Sequence, residues 1–426
     1  MKEFPKVGGI VGMFRDAILS ISRSNQEELA LGAAIALGGV LASNRFSHQG
    51  RPVYTTMYIL NVARTGSGKG AAYDFINALF SPRCLGTNPH FNLLGLRNYS
   101  SDVAIIGKLQ EQRTRLDVID EFGQVFKGLA ARGDRRAAVG DCLKILFSAK
   151  GWFAGHHTKT SGTIGACQDP AISLLGAIQP ETLINNSDKE VLFDGFMGRF
   201  MYFIEGESAE WSGNHLEDGL DQGMLDTIAN ACFAAYPNNP LIERDIIGNL
   251  IADTGKMEFT RQELTIPTPV RMALIDMDRA HYYEVRKKSN LESALFSRAI
   301  EHTDKLAKIL CVSYGERTLK IEHLEEAKAV VDACMSRSLG LLQNAGTDKE
   351  VRNGRKILEF LKRESPGQIP GQKKRSAVMQ FCNLSAREMR EAVEYLTAMG
   401  LVEEIKLDTR SNAASYLCLP GTAPQK

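Results

Sequence analysis

A glycine-rich turn followed by a lysine is the stretch of this chain whose residue types most directly suggest chemistry. The turn follows an apolar, β-prone run beginning at Tyr58, and residues 71–80 continue with the apolar spacing of a helix. Glycines let backbone N–H groups close around phosphate oxygens, and a helix N-terminus adds partial positive charge. A strand, a glycine turn and a helix with Lys69 at its start therefore predict a nucleotide site with this lysine on the β- and γ-phosphates. The expected contacts are Thr65, Gly66, Ser67, Gly68, Lys69 and Gly70.

The stretch departs from the usual phosphate-loop pattern, G-x-x-x-x-G-K-[ST], at two positions. Ala63 stands at the first glycine, and Gly70 stands at the Ser/Thr. The second change matters more, because that hydroxyl normally holds Mg²⁺. The metal must then be held by another side chain or by water. An ordinary glycine turn between a strand and a helix is the alternative interpretation.

Two carboxylates end the next short apolar run. Asp120 and Glu121 follow the run that begins at Arg115, about 50 residues after the lysine, which is a plausible spacing for the second strand of a nucleotide site. Ligands of open α/β sheets bind at the carboxyl ends of the strands. This Walker B pattern predicts that Asp120 holds the water shell of Mg²⁺ and that Glu121 polarises the attacking water. Asp117 is open to a different interpretation, as a solvated residue at the strand start.

Gln179 and Arg199 are the other two candidate catalytic residues. Gln179 ends an apolar run over 170–180, where an amide would sense the γ-phosphate; capping the following helix is the alternative. Arg199 lies between a glycine-containing turn and the apolar run 200–203. It is placed as an arginine finger that reaches the nucleotide of a neighbouring subunit, and a structural salt bridge is the alternative.

Composition sets wide limits. The chain has 426 residues with 44% hydrophobic and 24% charged content, which is ordinary for globular proteins of two or three domains. The net charge of +1 means that any nucleic-acid surface must be local. We expect no membrane segment, and eight cysteines without C-x-x-C spacing are most simply reduced thiols of a cytoplasmic protein.

The pattern of elements predicts an α/β protein with a RecA/AAA+-like P-loop NTPase core, a helical region and a C-terminal winged-helix domain. The expected divisions are a helical lead-in over 1–50, the ATPase core over 51–210, a linker and helical region over 211–345, and the winged helix over 346–426. Residues 205–270 are polar and broken by prolines, and are interpreted as a linker or insertion.

The last division has three predicted helices followed by two strands. One helix is predicted over 373–382, and the next starts at a Ser385 cap with Glu388 at capping-box spacing. Basic side chains near these helices and on the wing suit contacts with phosphates. They are Lys373, Lys374, Arg375, Arg387, Arg390 and Arg410. Interleaved glutamates dilute that charge, so an interaction module is a fair alternative.

These features together resemble helicase-like P-loop proteins of phages and mobile elements, of the primase-helicase or replication-protein type. The motifs that carry the resemblance are 66–69, Ser100-Ser101-Asp102, Asp120-Glu121, Gln179-Pro180 and 195–200, within roughly residues 30–310. The resemblance implies that ATP and Mg²⁺ bind between subunits of a homo-oligomeric ring, with a hexamer as the expected form. Hydrolysis would drive translocation on single-stranded or forked DNA.

A second hypothesis is a nucleotide-gated DNA-binding or helicase-loader protein with little hydrolysis. It follows from Gly70 at the position of the metal-binding hydroxyl. An ATPase of host defence would contain the same motor parts.

Overall fold

A computed structural model gives the fold, and the chain divides into two compact units, Met1–Gln343 and Asn344–Lys426. The structure describes residues 4–88, 91–130, 137–153, 156–158, 162–164, 166–186, 195–206, 210–213, 220–236, 261–342, 349–362, 372–406 and 415–420.

Helices make up more than half of the residues that the structure describes. The α-helices are α1 (Gly9–Ile21), α2 (Glu27–Ala42), α3 (Gly70–Leu79), α4 (Asp102–Glu111), α5 (Gly123–Ala130), α6 (Ala137–Phe147), α7 (Pro180–Asn186), α8 (Gln222–Ala235), α9 (Thr268–Val285), α10 (Asn290–Phe296), α11 (Ala299–Ser313), α12 (Ile321–Leu342), α13 (Lys349–Lys362), α14 (Arg375–Phe381) and α15 (Ala386–Ala398).

The strands are shorter and group into small sheets. They are β1 (Phe46–His48), β2 (Arg51–Pro52), β3 (Tyr58–Val62), β4 (Thr114–Ile119), β5 (Trp152–Phe153), β6 (His156–Thr158), β7 (Gly162–Ile164), β8 (Cys167–Gln168), β9 (Ala171–Ile178), β10 (Phe200–Ile204), β11 (Gln262–Glu263), β12 (Gln372–Lys374), β13 (Glu403–Lys406) and β14 (Ser415–Cys418).

A four-stranded parallel sheet lies at the centre of the first unit. Its order is β10-β3-β9-β4, so the strand that ends before Gln179 lies between the strand before the glycine turn and the strand before Asp120. Every residue of β3 and of β9 is buried, which explains their continuous apolar character. The expectation of an α/β fold is confirmed at this level, and the structure adds that the sheet is parallel.

The segment before α4 extends the sheet beyond β4. Leu94 pairs with Leu116 in a parallel bridge. The Gly95 N–H donates to the Leu116 carbonyl at 2.9 Å, and the Val118 N–H donates to the Leu96 carbonyl at 3.0 Å. The outer edge of β4 is therefore paired along most of its length by an irregular fifth strand.

Helices from both ends of the first unit share one core with the sheet. Helix α2 is buried over most of its length, as its apolar sequence predicts, and it packs on β3 and β9. Gly32 permits this approach, because a Cβ there would lie 2.6 Å from Asn61 Oδ1. Residues of α1, α11 and α12 belong to the same apolar cluster. The predicted lead-in and helical region are thus parts of one folded unit with the sheet.

Part of the segment interpreted as a linker is folded. Helix α8 begins at the Asp221 cap, whose carboxylate accepts a hydrogen bond from the Met224 N–H at 2.7 Å. It buries Leu225, Ile228 and Cys232 in the core. Of the two interpretations, linker or insertion, a linker does not describe α8, because its apolar residues share one helix face that packs into the core.

The second unit contains α13, α14, α15 and an antiparallel sheet of order β12-β14-β13. Its own apolar cluster includes Ile357, Val378, Leu396 and Leu417. The Ser385–Glu388 capping box is confirmed. The helix predicted over 373–382 is corrected, because Lys373 and Lys374 belong to β12 and the helix begins only at Arg375.

The helices of the described segments include none that is both long and apolar enough to cross a membrane.

Candidate functional site

The glycine turn connects β3 to α3 in a conformation that depends on glycine. Gly66 has φ +86° and Gly68 has φ +80°, both in the left-handed region that favours glycine. Gly68 also lies against the connector between α1 and α2, since a Cβ there would come within 2.7 Å of Ser22 Oγ. The loop therefore packs against Ser22 at Gly68, whereas a Cβ on Gly66 or Gly70 would meet no heavy atom within 4 Å.

The Lys69 ammonium folds back over this loop. Its Nζ donates a hydrogen bond to the Ala63 carbonyl at 3.0 Å. This carbonyl lies at the end of β3, where the Ala63 N–H donates to the Ile178 carbonyl of the neighbouring strand. The positive charge thus lies above the loop, where an anion enclosed by the backbone N–H groups would meet it.

Glu205 is a site residue that the sequence analysis missed. It follows β10 directly, and its carboxylate accepts hydrogen bonds from Ser67 Oγ and from the Arg64 N–H, with an ion pair to the Arg64 guanidinium. Burial alone would raise the pKa of Glu205, but the hydrogen bonds from Ser67 and Arg64 outweigh burial and lower it. An ionised carboxylate therefore fixes the outer side of the loop. The only signal in the sequence was an acidic residue at the end of an apolar run.

The predicted acidic pair lies where expected, one and two residues past the end of β4. Asp120 and Glu121 are both exposed and both line the same cavity as Lys69. The solvated interpretation of Asp117 is wrong. Asp117 is fully buried and accepts hydrogen bonds from Arg115 Nε at 2.9 Å and from the Tyr99 hydroxyl at 2.9 Å. Burial raises the pKa of Asp117, and the Arg115 guanidinium opposes that effect.

Gln179 reaches the glycine turn from the strand between. Its Nε2 donates to Thr65 Oγ1 at 2.9 Å. The alternative role of capping α7 is not what its amide does here, although the Leu183 N–H bonds to the Gln179 backbone carbonyl. The amide is exposed and lies beside the opening of the loop.

A cavity of about 780 Å³ joins these groups. One wall carries the loop, the first turn of α3 and the acidic pair, while Ile21, Arg23 and Leu220 line another part. This size is within the range of sites for nucleotide-sized ligands. Ile21, Arg23 and Leu220 were not predicted from sequence, because they are far in the chain from the glycine turn and the acidic pair.

Arg199 lies at the amino ends of the parallel strands, whereas Lys69 lies beyond their carboxyl ends. It ends the short 3₁₀ turn Met197–Arg199 just before β10, and β10 is parallel to β3. The turn is therefore separated from Lys69 by the length of a strand, about 16 Å for five residues. Its guanidinium donates to the Lys144 carbonyl at 3.2 Å and to the Gly195 carbonyl.

Two helices support the turn that carries Arg199. The buried His302 on α11 contacts the Gly198 carbonyl through Nε2 at 3.1 Å. A Cβ on Gly198 would lie 2.5 Å from the Ala294 carbonyl of α10, so the turn packs closely on that helix. Arg199 is therefore part of a well-packed turn, is half-buried, and does not line the cavity that contains Lys69.

The basic residues of the second unit are not equally accessible. Lys374, Arg387 and Arg390 are exposed. Arg375 is half-buried and pairs with Glu404 at 2.6 Å. Lys373 is only 3% exposed, with its ammonium 5.8 Å from the centre of the Phe360 ring, so this conformation does not offer it to a phosphate. Arg410 lies outside the described residues.

Comparison of the chain with protein-family models gives no match, and comparison with curated proteins gives none either.

Proposed function

We propose that the chain is an ATP-dependent motor on DNA, with a RecA/AAA+-like P-loop core and a C-terminal winged helix. One observation carries the proposal. The strand before Gln179 lies between the strand before Lys69 and the strand before Asp120, so three polar groups predicted separately meet at one strand edge and line one cavity. Nucleotide sites of open α/β sheets are built at that edge.

Each residue has a distinct role in the proposed reaction. The loop backbone and Lys69 bind the β- and γ-phosphates, and Gln179 contacts the γ-phosphate by exchanging its bond to Thr65. Glu121 orients the water that attacks the γ-phosphorus, and the leaving ADP keeps the bridging oxygen. The loop and Lys69 need little rearrangement, since their positions are fixed before the nucleotide binds.

The residues present also fit a magnesium ion. Asp120 is exposed and lines the cavity, and a Cβ on Gly70 in the same lining would meet no heavy atom within 4 Å, so the cavity is open at the start of α3. Mg²⁺ bound with ATP would neutralise charge that develops on the phosphate oxygens. Asp120 would hold the ion, largely through water.

The position of Arg199 supports action between subunits. It lies at the end of the strands opposite to Lys69. In a ring, its guanidinium would contact the nucleotide bound by the next chain. The second unit supports a contact with DNA: three helices and a three-stranded sheet carry exposed Lys374, Arg387 and Arg390. By resemblance, the substrate is single-stranded or forked DNA in the replication of a phage or mobile element.

Equilibrium binding of a fluorescent ATP analogue, paired with a hydrolysis assay, tests the proposal. Lys69→Ala is expected to weaken binding by at least about tenfold, because a charge-assisted contact to phosphate is worth roughly 1.5–3 kcal/mol. Glu121→Gln is expected to bind like the wild type and to lose turnover. Lys108→Ala is the control, since Lys108 pairs with Glu111 on α4 and does not line the cavity. Wild-type binding and turnover in both site variants would contradict the proposal.

Gly70 favours a second candidate function, that of a nucleotide-gated DNA-binding or helicase-loader protein. The absence of a hydroxyl at that position predicts weak metal binding and slow hydrolysis. Such a protein would assemble on DNA when ATP binds and would not unwind it. A steady hydrolysis rate stimulated by DNA would count against this function.

A further inference from the structure

The proposed phosphate contacts use only part of the main cavity. The glycine turn, Gln179 and the acidic pair account for the three phosphates and the metal ion. A nucleoside triphosphate also has a base and a ribose, which need a surface of their own. Ile21, Arg23 and Leu220 line the same cavity and take no part in the proposed reaction.

The strand order separates these three residues from the acidic pair. The acidic pair follows β4, which is two strands from β3. The connector between α1 and α2, residues 22–26, lies instead at the end of β10, on the other side of β3. There, the Gly206 N–H donates to Gln26 Oε1 at 3.0 Å. With its γ-phosphate toward the acidic pair, a bound nucleotide would therefore extend its nucleoside toward this connector.

The connector holds Arg23 on an ordered backbone. The Asn25 N–H donates to the Glu210 carbonyl at 2.9 Å, and the Ser212 N–H donates to the Arg23 carbonyl at 3.0 Å. The Arg23 side chain is exposed and lines the cavity. Within the described segments its guanidinium makes no hydrogen bond or ion pair. The charge and the plane of this group are thus available to a ligand.

Apolar side chains lie beside this arginine. Ile21 ends α1, and Leu220 lies just before the Asp221 cap of α8. The two helices meet at these ends, since Ser20 Oγ contacts Met224 Sδ at 4.0 Å. Ile21 and Leu220 are both half-buried, so each packs on the core and still presents some surface to the cavity. A guanidinium plane next to apolar surface suits an aromatic ring.

We propose that Ile21, Arg23 and Leu220 bind the base of the nucleoside triphosphate, with the Arg23 guanidinium stacked on the ring. The inference rests on the proposed function and deepens it, because it assigns the nucleoside end of the same site. It also explains why a connector far from the glycine turn in sequence packs against Gly68.

A contact between Arg23 and a phosphate is the competing idea. The loop N–H groups and Lys69 already supply donors for phosphate oxygens. Ile21 and Leu220 supply none, and apolar surface is unfavourable next to a charged group that it would desolvate. The neighbours of Arg23 therefore favour the base over the phosphates.

Calorimetric titration with ATP and with inorganic tripolyphosphate, both with Mg²⁺, separates the two ideas, since tripolyphosphate has no base. Arg23→Ala is expected to weaken ATP binding about three- to thirtyfold and to leave tripolyphosphate binding unchanged. Arg23→Lys keeps the charge but loses the plane, and should bind ATP nearly as weakly as Arg23→Ala. Leu220→Ala should also weaken only ATP binding, and its intact tripolyphosphate binding would show that the phosphate site is still folded.

Arg51→Ala is the matched control, since Arg51 is exposed on β2 and does not line the cavity. Wild-type affinity for ATP in Arg23→Ala would overturn the inference. Full recovery by Arg23→Lys, or an equal loss of tripolyphosphate binding in Arg23→Ala, would overturn it too, because either result places Arg23 on a phosphate. Failure of the wild type to bind both ligands, or unchanged binding of both by Lys69→Ala, would instead remove the proposed function.

Discussion

Glu205 brings a negative charge into a loop that is proposed to bind the most highly charged part of a nucleotide. Its three acceptor contacts with Arg64 and Ser67 explain why this is tolerated: the Arg64 guanidinium offsets the charge, and the carboxylate fixes the loop. We therefore assign Glu205 an ordering role, with no contact to phosphate.

Glu205→Gln is expected to weaken binding of a fluorescent ATP analogue severalfold. The amide keeps the shape of the side chain but loses the ion pair with Arg64, so more of the loop must be ordered on binding. Glu210→Gln, five residues on at an exposed position, is the control. Tighter binding by Glu205→Gln would mean that charge repulsion, and not loop order, is the dominant effect.

His302 makes the stability of the first unit sensitive to pH. Burial is the main cause that lowers its pKa from 6.5 to about 4, with a further contribution from Lys305 and an opposing one from Glu301. Its Nδ1 has no hydrogen-bond partner among the described residues. As the pH falls below 6.5, the unfolded chain takes up this proton first, so folding stability is lost between about pH 6.5 and pH 4.

Urea unfolding at about pH 7.5 and about pH 5 measures this effect. His302 is expected to cost the wild type about 2 kcal/mol of unfolding free energy at the lower pH. His302→Gln retains a donor for the Gly198 carbonyl and removes the titration, so it should lose less stability. Carboxyl groups titrate in both proteins, so the readout is the difference between the stability lost by the wild type and that lost by His302→Gln. Equal losses would show that His302 is not the group responsible.

At the scale of elements, the glycine turn between β3 and α3 allows a graded test. Gly66 has a left-handed φ, but a Cβ there would have no close neighbour. Gly68 also has a left-handed φ, and a Cβ there would lie 2.7 Å from the Ser22 hydroxyl. Gly70 has neither constraint. Alanine at these positions should separate strain from contact.

We expect Gly68→Ala to be the most destabilising of the three in thermal unfolding. Gly66→Ala should cost about 1–2 kcal/mol from backbone strain alone. Gly70→Ala should be neutral or slightly stabilising, since alanine is favoured in a helix by up to about 1 kcal/mol. Equal effects at all three positions would contradict the loop conformation.

The elements that were readable from the sequence have patterns that local physics determines. Strands β3 and β9 are continuous apolar runs because both faces are buried, and the Ser385 cap begins a helix where the capping box predicts it. The short strand β12 was not readable, because three polar residues directly before a helix carry no strand signal.

Tertiary pairing supplied what the sequence could not. Glu205 and Ser67 are 138 positions apart, and only the parallel pairing of β10 with β3 brings them together. Spacing predicted the glycine turn, the acidic pair and Gln179 as separate motifs, whereas their convergence depends on the strand order.

At the scale of the whole molecule, the proposal that Arg199 acts on the nucleotide of a neighbouring chain implies a site that one chain cannot complete. Mixing two inactive variants tests this. Lys69→Ala lacks the phosphate contact but keeps Arg199, and Arg199→Ala has the opposite defect. In mixed rings, some sites would combine an intact loop with an intact arginine. We expect each variant alone to hydrolyse ATP slowly and their mixture to recover part of the wild-type rate.

Recovery should depend on the ratio of the two chains and should be absent when both substitutions are in the same chain. Arg298→Ala is the control, because Arg298 pairs with Glu301 of its own helix at 2.8 Å. Full activity of Arg199→Ala by itself would contradict the role in trans.

The rate of ATP hydrolysis with and without single-stranded DNA, for the wild type and Lys69→Ala, tests the proposed motor most directly. A nucleotide site that drives movement on DNA predicts turnover that rises when DNA is added, and loss of both the basal and the stimulated rate in Lys69→Ala. Turnover that DNA does not change, or that persists in Lys69→Ala, would contradict it.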